Sequence, residues 1–136
     1  MIHHGGTETR SKLLHEELTE KVIGAAIEVH RALGPGLLES AYEECLCHEL
    51  HLRSLAFQRQ VPLPVSYKGV NLDCGYRVDM IVENQIVLEL KCIDHILPVH
   101  EAQLLTYLRL LNKRVGLIIN FHVATLVRGG IMRKIL

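Results

Sequence analysis

The sequence lacks any long apolar run. Its longest runs, such as residues 115–119, fall far short of the roughly 20 residues that a membrane-spanning helix requires. The N-terminus also lacks the apolar segment of a secretion signal. We therefore expect a soluble, cytoplasmic protein with no membrane partner.

An excess of charge is also absent, because fifteen lysines and arginines balance fifteen aspartates and glutamates. The chain then has no overall field that would attract nucleic acid, and any contact with a polyanion must come from a local patch or a bound metal ion. This balance argues against a tight nonspecific DNA-binding protein. It does not argue against a nuclease, whose site has to be acidic to hold a cation.

The cysteine and histidine motifs of zinc sites and iron–sulfur clusters are missing as well. No two histidines have H-E-x-x-H spacing. The four cysteines lack the C-x-x-C step of cluster-binding proteins; they are Cys45, Cys47, Cys74 and Cys92. We therefore expect structural thiols in a reducing compartment.

The chain does have enough apolar content for a core. Of its 136 residues, 49% are hydrophobic, which predicts one compact domain. Residues 1–17 show little pattern beyond charge and glycine, so we expect a disordered or loosely ordered segment there. The single domain is then expected over residues 18–136.

Hydrophobic periodicity predicts helices and strands in mixed order. Thr19 is placed to cap the first helix, and Ser40 with Glu43 fits a capping box for the second. That box leaves open whether Glu39 precedes the second helix or begins it. The predicted helices cover residues 19–33, 38–53 and 98–112, and the predicted strands cover 57–67, 76–82, 86–92 and 115–121.

Two details concern the sheet. Pro62 and Pro64 cannot donate hydrogen bonds, so the run over residues 57–67 belongs at a sheet edge. Residues 72–74 are expected to begin the first central strand, and residues 123–136 to add a last strand or hairpin.

The most informative stretch is the hairpin around residues 83–85, whose second strand is apolar on both sides. This pattern is typical of a central strand with both faces covered. Directly opposed residues of an antiparallel pair point to the same side, so a three-residue loop places Asp79 opposite Glu89. A two-residue loop would place it opposite Leu90. Lys91 shares the face of Glu89.

Asp79 beside Glu89 admits two interpretations. Adjacent carboxylates repel each other, and a divalent cation or a shared proton relieves that repulsion. Alternatively, Glu89 with Lys91 and Asp79 with Arg77 form partly buried structural ion pairs. The pattern alone favours neither.

Three motifs resemble those of a known family. Asp79 followed by Glu89-Leu90-Lys91 resembles the D…ExK signature of the PD-(D/E)xK nuclease superfamily, with Val78 in place of its proline. Residues 36–42 match the motif of the GxxExxY family, and residues 103–107 resemble the Q-x-x-x-Y motif of the exonuclease-like branch. The resemblance covers residues 18–136, and the motifs follow in the right order.

The resemblance implies an α/β fold of the restriction-endonuclease type, with an α-β-β-β-α-β core and a mixed sheet flanked by helices. It also implies a site. The catalytic residues would be Asp79, Glu89 and Lys91, and the metal ligands would be Glu39, Asp79, Glu89 and the Leu90 carbonyl. Such hard oxygen ligands suit Mg²⁺ or Mn²⁺.

The resemblance further implies that Gln103, Tyr107 and Tyr42 bind substrate. An amide and a phenol can hold a phosphate or a base. These side chains are equally suited to capping a sheet edge, and by pattern alone packing is favoured for Gln103 and Tyr107.

Three functions are left open. The first is a metal-dependent nuclease that hydrolyses phosphodiester bonds, with DNA as the expected partner. The second is a noncatalytic accessory module that binds nucleic acid or a protein partner. The third is a structural protein whose charged cluster is an ion-pair network and whose strand edges support a homo-oligomer. Divalent-metal binding separates the first two from the third, and hydrolysis that depends on Lys91 separates the first from the second.

Overall fold

The computed structural model describes residues 6–136, with side chains from residue 15 onward. The expected loose segment thus lies partly outside the described residues, and the division into residues 1–17 and a domain over 18–136 stays a prediction. In the part of the chain that is described, no helix has the length and apolar character needed to cross a membrane.

Three helices and seven strands make up the described fold. The helices are α1 Gly6–Leu33, α2 Glu39–Leu52 and α3 Pro98–Leu111. The strands are β1 Phe57–Pro62, β2 Val65–Tyr67, β3 Val70–Leu72, β4 Arg77–Val82, β5 Ile86–Lys91, β6 Val115–Asn120 and β7 Ile131–Ile135.

Helix α1 begins well before the predicted start at Thr19, so that prediction was wrong. The Thr19 hydroxyl donates to the backbone carbonyl of His15, 2.5 Å away, and is therefore used inside the helix rather than at its start. The helix ends at Leu33, as predicted. Gly34 has a φ of 69°, and its N–H donates to the His30 carbonyl at 2.7 Å, which is a left-handed helix end.

Helix α2 begins without a side-chain cap. Its N-cap residue is Leu38, and no side chain bonds to the free N–H groups of the first turn. The predicted capping box of Ser40 and Glu43 was therefore wrong, and Glu39 is the first helical residue. At that position the helix dipole favours the Glu39 carboxylate.

Tyr42 fixes the turn that precedes α2. Its hydroxyl donates to the Gly34 carbonyl and accepts a hydrogen bond from the Leu37 N–H at 3.3 Å. Its ring is fully buried and stacks on Phe121, with centroids 4.4 Å apart. Tyr42, predicted to bind substrate, lies instead in the core, where it holds the segment that leads to Glu39.

Five strands form one mixed sheet in the order β1-β4-β5-β6-β7. Strand β5 lies at its centre, antiparallel to β4 and parallel to β6. Strand β1 lies at the edge, as its proline predicted. The tail adds β7, antiparallel to β6.

Helices cover both faces of this sheet. Alternate residues of β5 pack against α1 and α2 on one face; these are Ile86, Leu88 and Leu90. Val87 packs with the α3 residues Leu104, Tyr107 and Leu108 on the other face. The α/β fold with a mixed sheet flanked by helices, as predicted, is confirmed.

The run over residues 57–67 is two strands rather than one. Strand β1 ends at Pro62, and β2 pairs with β3 in a separate two-stranded hairpin. The prediction that residues 72–74 begin the central strand was also wrong. The Asp73 carboxylate accepts the Gly75 N–H at 3.1 Å, and Gly75 has a φ of 74°, so the chain turns there before β4 begins.

We predict that Tyr42→Phe lowers the free energy of unfolding by about 1–3 kcal/mol, because it leaves the Gly34 carbonyl and the Leu37 N–H without their partner. Urea unfolding measures this loss. Tyr67→Phe, at an exposed ring, is the matched control and should leave stability unchanged. Equal stability of the two variants would contradict the structural role of Tyr42.

Candidate active site

The ladder of hydrogen bonds between β4 and β5 covers only the half of each strand next to the hairpin loop. Its paired segments are residues 80–82 and 86–88, which is the register that a three-residue loop produces. At the next position, carboxylate oxygens replace backbone carbonyls as the hydrogen-bond acceptors. The Asp79 N–H donates to Oε1 of Glu89 at 3.1 Å, and the Leu90 N–H donates to Oδ2 of Asp79 at 2.7 Å.

Pairing on the other side of β4 is interrupted at the same place. The β1–β4 ladder pairs Arg59 with Met80 and Val61 with Val78, and it skips the residues between them. Gln60, opposite Asp79, has a φ of 50°, a left-handed conformation that breaks a regular ladder. We call the opening between residues 77–79 and residues 89–91 the fork.

The two carboxyl groups of the fork are poorly hydrated. Glu89 is only 8% exposed, and burial together with the Asp79 carboxylate raises the pKa of Glu89 to about 7, against the hydrogen bond from the Asp79 N–H. Burial also raises the pKa of Asp79, whereas the Leu90 N–H lowers it. Without a bound cation, the pair therefore holds a proton near neutral pH.

Among the side chains that the structure describes, no bonded counter-ion neutralises these carboxylates. Within residues 15–136, neither Glu89 with Lys91 nor Asp79 with Arg77 approaches to ion-pair distance. Arg77 instead donates to the Gln60 carbonyl at 3.4 Å. The structural ion-pair interpretation was therefore wrong. The Lys91 ammonium still lowers the pKa of both carboxyl groups, so it acts on them across a gap.

Glu39 lies at the margin of this group. Partial burial and the Asp79 carboxylate raise the pKa of Glu39, while Lys91 and a hydrogen bond from the Cys92 backbone lower it. Among the described residues, however, no three Asp, Glu, His or Cys side chains are gathered closely enough to hold a metal ion. The fold thus brings Glu39 within electrostatic range of Asp79 without forming a three-carboxylate cage.

The donor chemistry of the fork nevertheless fits a hard divalent cation. Mg²⁺ usually binds one or two carboxylates and completes its shell with waters and substrate phosphates. Asp79 and Glu89 could supply two carboxylates, and a cation between them would replace the proton that they otherwise hold. The Leu90 carbonyl stays a predicted further ligand.

The predicted substrate residues of α3 differ in their placement. The pKa of Tyr107 is raised by burial and then by Glu89, Tyr76 and Asp79, so its hydroxyl lies near the fork. Gln103 is exposed on the helix surface, and nothing in the structure ties its amide to the carboxylates. Their contact with substrate stays a prediction.

Asn120 is a supporting residue that the sequence reasoning missed. It is fully buried at the end of β6, beside Lys91 in the ladder. Its Oδ1 accepts the N–H groups of Ile93 at 3.1 Å and His122 at 3.2 Å, and its Nδ2 donates to the Ile93 carbonyl at 2.8 Å. In the sequence, the sign of this role is a single amide residue at the end of an otherwise apolar strand. Asn120 anchors the chain directly after the fork.

We predict that the wild type loses stability as the pH rises from about 4.5 to about 7. Because the pKa of Glu89 is higher in the folded state, at about 7, than its ordinary 4.5, the folded state binds more protons in this window. Raising the pH then favours unfolding, by about 3 kcal/mol for this one group. Glu89→Gln keeps an oxygen for the Asp79 N–H and abolishes the titration.

Urea unfolding in EDTA between pH 4.5 and pH 8 measures the effect. Glu89→Gln should flatten the profile and exceed wild-type stability at pH 8. The matched control is Glu20→Gln, at an exposed position of α1, whose profile should follow the wild type. A Glu89→Gln profile parallel to that of the wild type would show that this carboxyl group titrates normally.

Comparison with known proteins gives one finding about the family. Searches of curated proteins and of solved structures found no match. The model of the PD-(D/E)XK nuclease superfamily matches residues 16–134. The match includes most of α1, all of α2, four strands of the sheet with all but the last residue of β7, and every residue of the fork. The chain is therefore a member of the PD-(D/E)XK nuclease superfamily.

Proposed function

We propose that this protein is a metal-dependent nuclease that hydrolyses phosphodiester bonds in nucleic acid, with DNA as its substrate. The observation that carries the proposal is the pair of adjacent, poorly hydrated carboxyl groups of Asp79 and Glu89. Among the side chains of residues 15–136, they have no bonded counter-ion. Such a pair costs stability unless a proton or a cation neutralises it. A cation site is the function that accounts for this cost.

The superfamily generally uses divalent metal ions, and we propose Mg²⁺ or Mn²⁺ here. Asp79, Glu89 and the Leu90 carbonyl would hold the ion, with Glu39 as a further acidic ligand because its carboxyl group already interacts with Asp79. The bound ion would polarise a phosphoryl oxygen and lower the pKa of a bound water.

The protein's own residues supply the remaining steps. Backbone N–H groups hold the carboxylates of Asp79 and Glu89 in place, so little reorganisation is needed when substrate arrives. Lys91 has an ammonium close enough to act on both carboxyl groups. In this proposal Lys91 positions the attacking water and stabilises the charge that develops on the phosphate.

Finer assignments are part of the same proposal. We place the chain in the GxxExxY family on its motif at residues 36–42, and in the Q-x-x-x-Y branch on Gln103 and Tyr107. The four cysteines are free thiols, which agrees with the reducing cytoplasm that we propose as its location. A homo-oligomer and a protein partner stay predictions from the sequence.

We predict that divalent ions stabilise the wild type and that Asp79→Asn abolishes this effect. At pH 8, Mn²⁺ at about 100 times its dissociation constant should add about 2.7 kcal/mol to the free energy of unfolding. Thermal melts with Mn²⁺ and with EDTA measure the shift. Lys91→Ala, which keeps both carboxylates, should retain the shift, and a shift of the same size in Asp79→Asn would place the metal elsewhere.

We predict that the purified protein cleaves end-labelled DNA only with Mg²⁺ or Mn²⁺. Lys91→Ala should slow cleavage by about 100-fold or more, since removing one group that stabilises transition-state charge has roughly this effect. The substrates are single- and double-stranded DNA and RNA. Lys113→Ala is the matched control because its ammonium bonds Asn84, 3.0 Å away, at the opposite end of the hairpin.

The pattern of results separates the two functions that keep the metal site. Cleavage lost in EDTA and in Lys91→Ala supports the nuclease. Mn²⁺ binding that depends on Asp79, with none of the four substrates cleaved, supports a noncatalytic accessory module instead. Cleavage that persists in EDTA would contradict both.

A further inference from the structure

The β2–β3 hairpin is a two-stranded sheet separate from the main one, and it buries very little of itself. All three residues of β3 are exposed, and a two-stranded hairpin is marginally stable in water without packing. Its turn is a tight one, since Lys68 and Gly69 both have positive φ, at 50° and 79°. We call residues 65–76 the arm.

The arm displays aromatic surface. Tyr67, beside the turn, is 61% exposed, and Tyr76, where the arm rejoins the sheet, is 54% exposed. Val70 between them in sequence is 56% exposed. The other two tyrosines of the chain are buried, so the exposed rings are concentrated on this one element. Exposed tyrosine rings, with an apolar body and a polar tip, suit an interaction site.

The arm rejoins the sheet at the open end of the fork. Strand β4 runs antiparallel to β5, so the start of β4 and the end of β5 share one edge of the sheet, and there the ladder is open. Tyr76 is anchored at this edge because its carbonyl accepts the Leu63 N–H at 3.0 Å. Three residues of extended chain, about 10 Å, separate it from Asp79.

The charge of the arm suits a polyanion. The Lys68 ammonium lies 5.3 Å from the centre of the Tyr67 ring, and Arg77 follows directly after the arm. Within the part of the chain whose side chains are described, neither cation forms an ion pair. Lys68 thus lies beside Tyr67 at the turn, and Arg77 lies beside Tyr76 in sequence where the arm ends. The arm also contains one acidic residue, Asp73, whose carboxylate accepts the Gly75 N–H.

We propose that the arm is a stacking surface for the unpaired bases of a nucleic acid strand whose backbone enters the fork. Bases stack on Tyr76 and Tyr67, while Lys68 and Arg77 contact phosphates. This inference rests on the proposed nuclease function and adds a binding surface to it.

Stacking on exposed rings requires bases that are free of a duplex. Every base has a π-face, so aromatic side chains bind single strands with little regard for sequence. In a duplex those faces are already stacked on neighbouring bases. The arm therefore favours single strands and frayed ends over continuous duplex.

The experiment measures binding of a fluorescent single strand and of a matched hairpin duplex, with Ca²⁺ as the cation. Replacing one ring, as in Tyr76→Leu, should weaken single-strand binding by about five-fold to about 150-fold, since stacking of one base is worth about 1–3 kcal/mol. Duplex binding should change little. Tyr76→Phe keeps the ring and should bind like the wild type.

Quenching of 2-aminopurine in the single strand reports stacking directly. It should be present with the wild type and Tyr76→Phe and absent with Tyr76→Leu. Val127→Leu, at an exposed position outside the arm and the fork, is the matched surface control. Thermal melts confirm that each variant is folded.

Other outcomes overturn the inference in distinguishable ways. If Tyr76→Leu and Tyr67→Leu both bind and cleave single strands like the wild type, the arm is not a stacking surface, although the nuclease stands. Equal weakening by Tyr76→Phe and Tyr76→Leu would assign the effect to the hydroxyl and not to stacking. A wild type that neither binds nor cleaves any strand would overturn the nuclease and the arm together.

Discussion

The exchange of hydrogen bonds between Asp79 and Glu89 is the interaction on which the candidate site depends. Each carboxylate accepts a backbone N–H from the opposite strand, where a regular ladder would have used carbonyl oxygens. This lets β4 and β5 separate without leaving buried N–H groups unsatisfied. The opening of the fork and the fixed placement of the two carboxyl groups follow from it. Burial and the neighbouring carboxylate, acting against these hydrogen bonds, account for the proton that the pair holds.

The same pair of carboxyl groups lowers the stability of the fold at neutral pH. Burial and mutual repulsion raise the pKa of Glu89 to about 7, so full ionisation of the pair at neutral pH destabilises the fold. In the proposed function, a divalent cation would remove that cost by taking the place of the proton. Apolar side chains pack both faces of the sheet around the fork, so the rest of the fold supports this unfavourable pair.

Two buried side chains near the fork position the segments that carry candidate site residues. Tyr42 fixes the turn that presents Glu39, and Asn120 anchors the chain that follows Lys91. Both side chains are fully buried, so they act through the backbone and not on a ligand. The β2–β3 hairpin is the opposite case, since it packs on little and exposes its rings at the open edge of the sheet.

The sequence by itself determined what depends on local periodicity. The apolar pattern of β5 marked a central strand, and the three-residue loop set Asp79 opposite Glu89, because side chains alternate with a period of two. Only the tertiary structure decided what depends on distant contacts. The burial of Tyr42 against Phe121 and the break at Gln60, opposite Asp79, both arise where separate segments meet. Local pattern carries no information about such contacts, whereas packing of the whole chain fixes them.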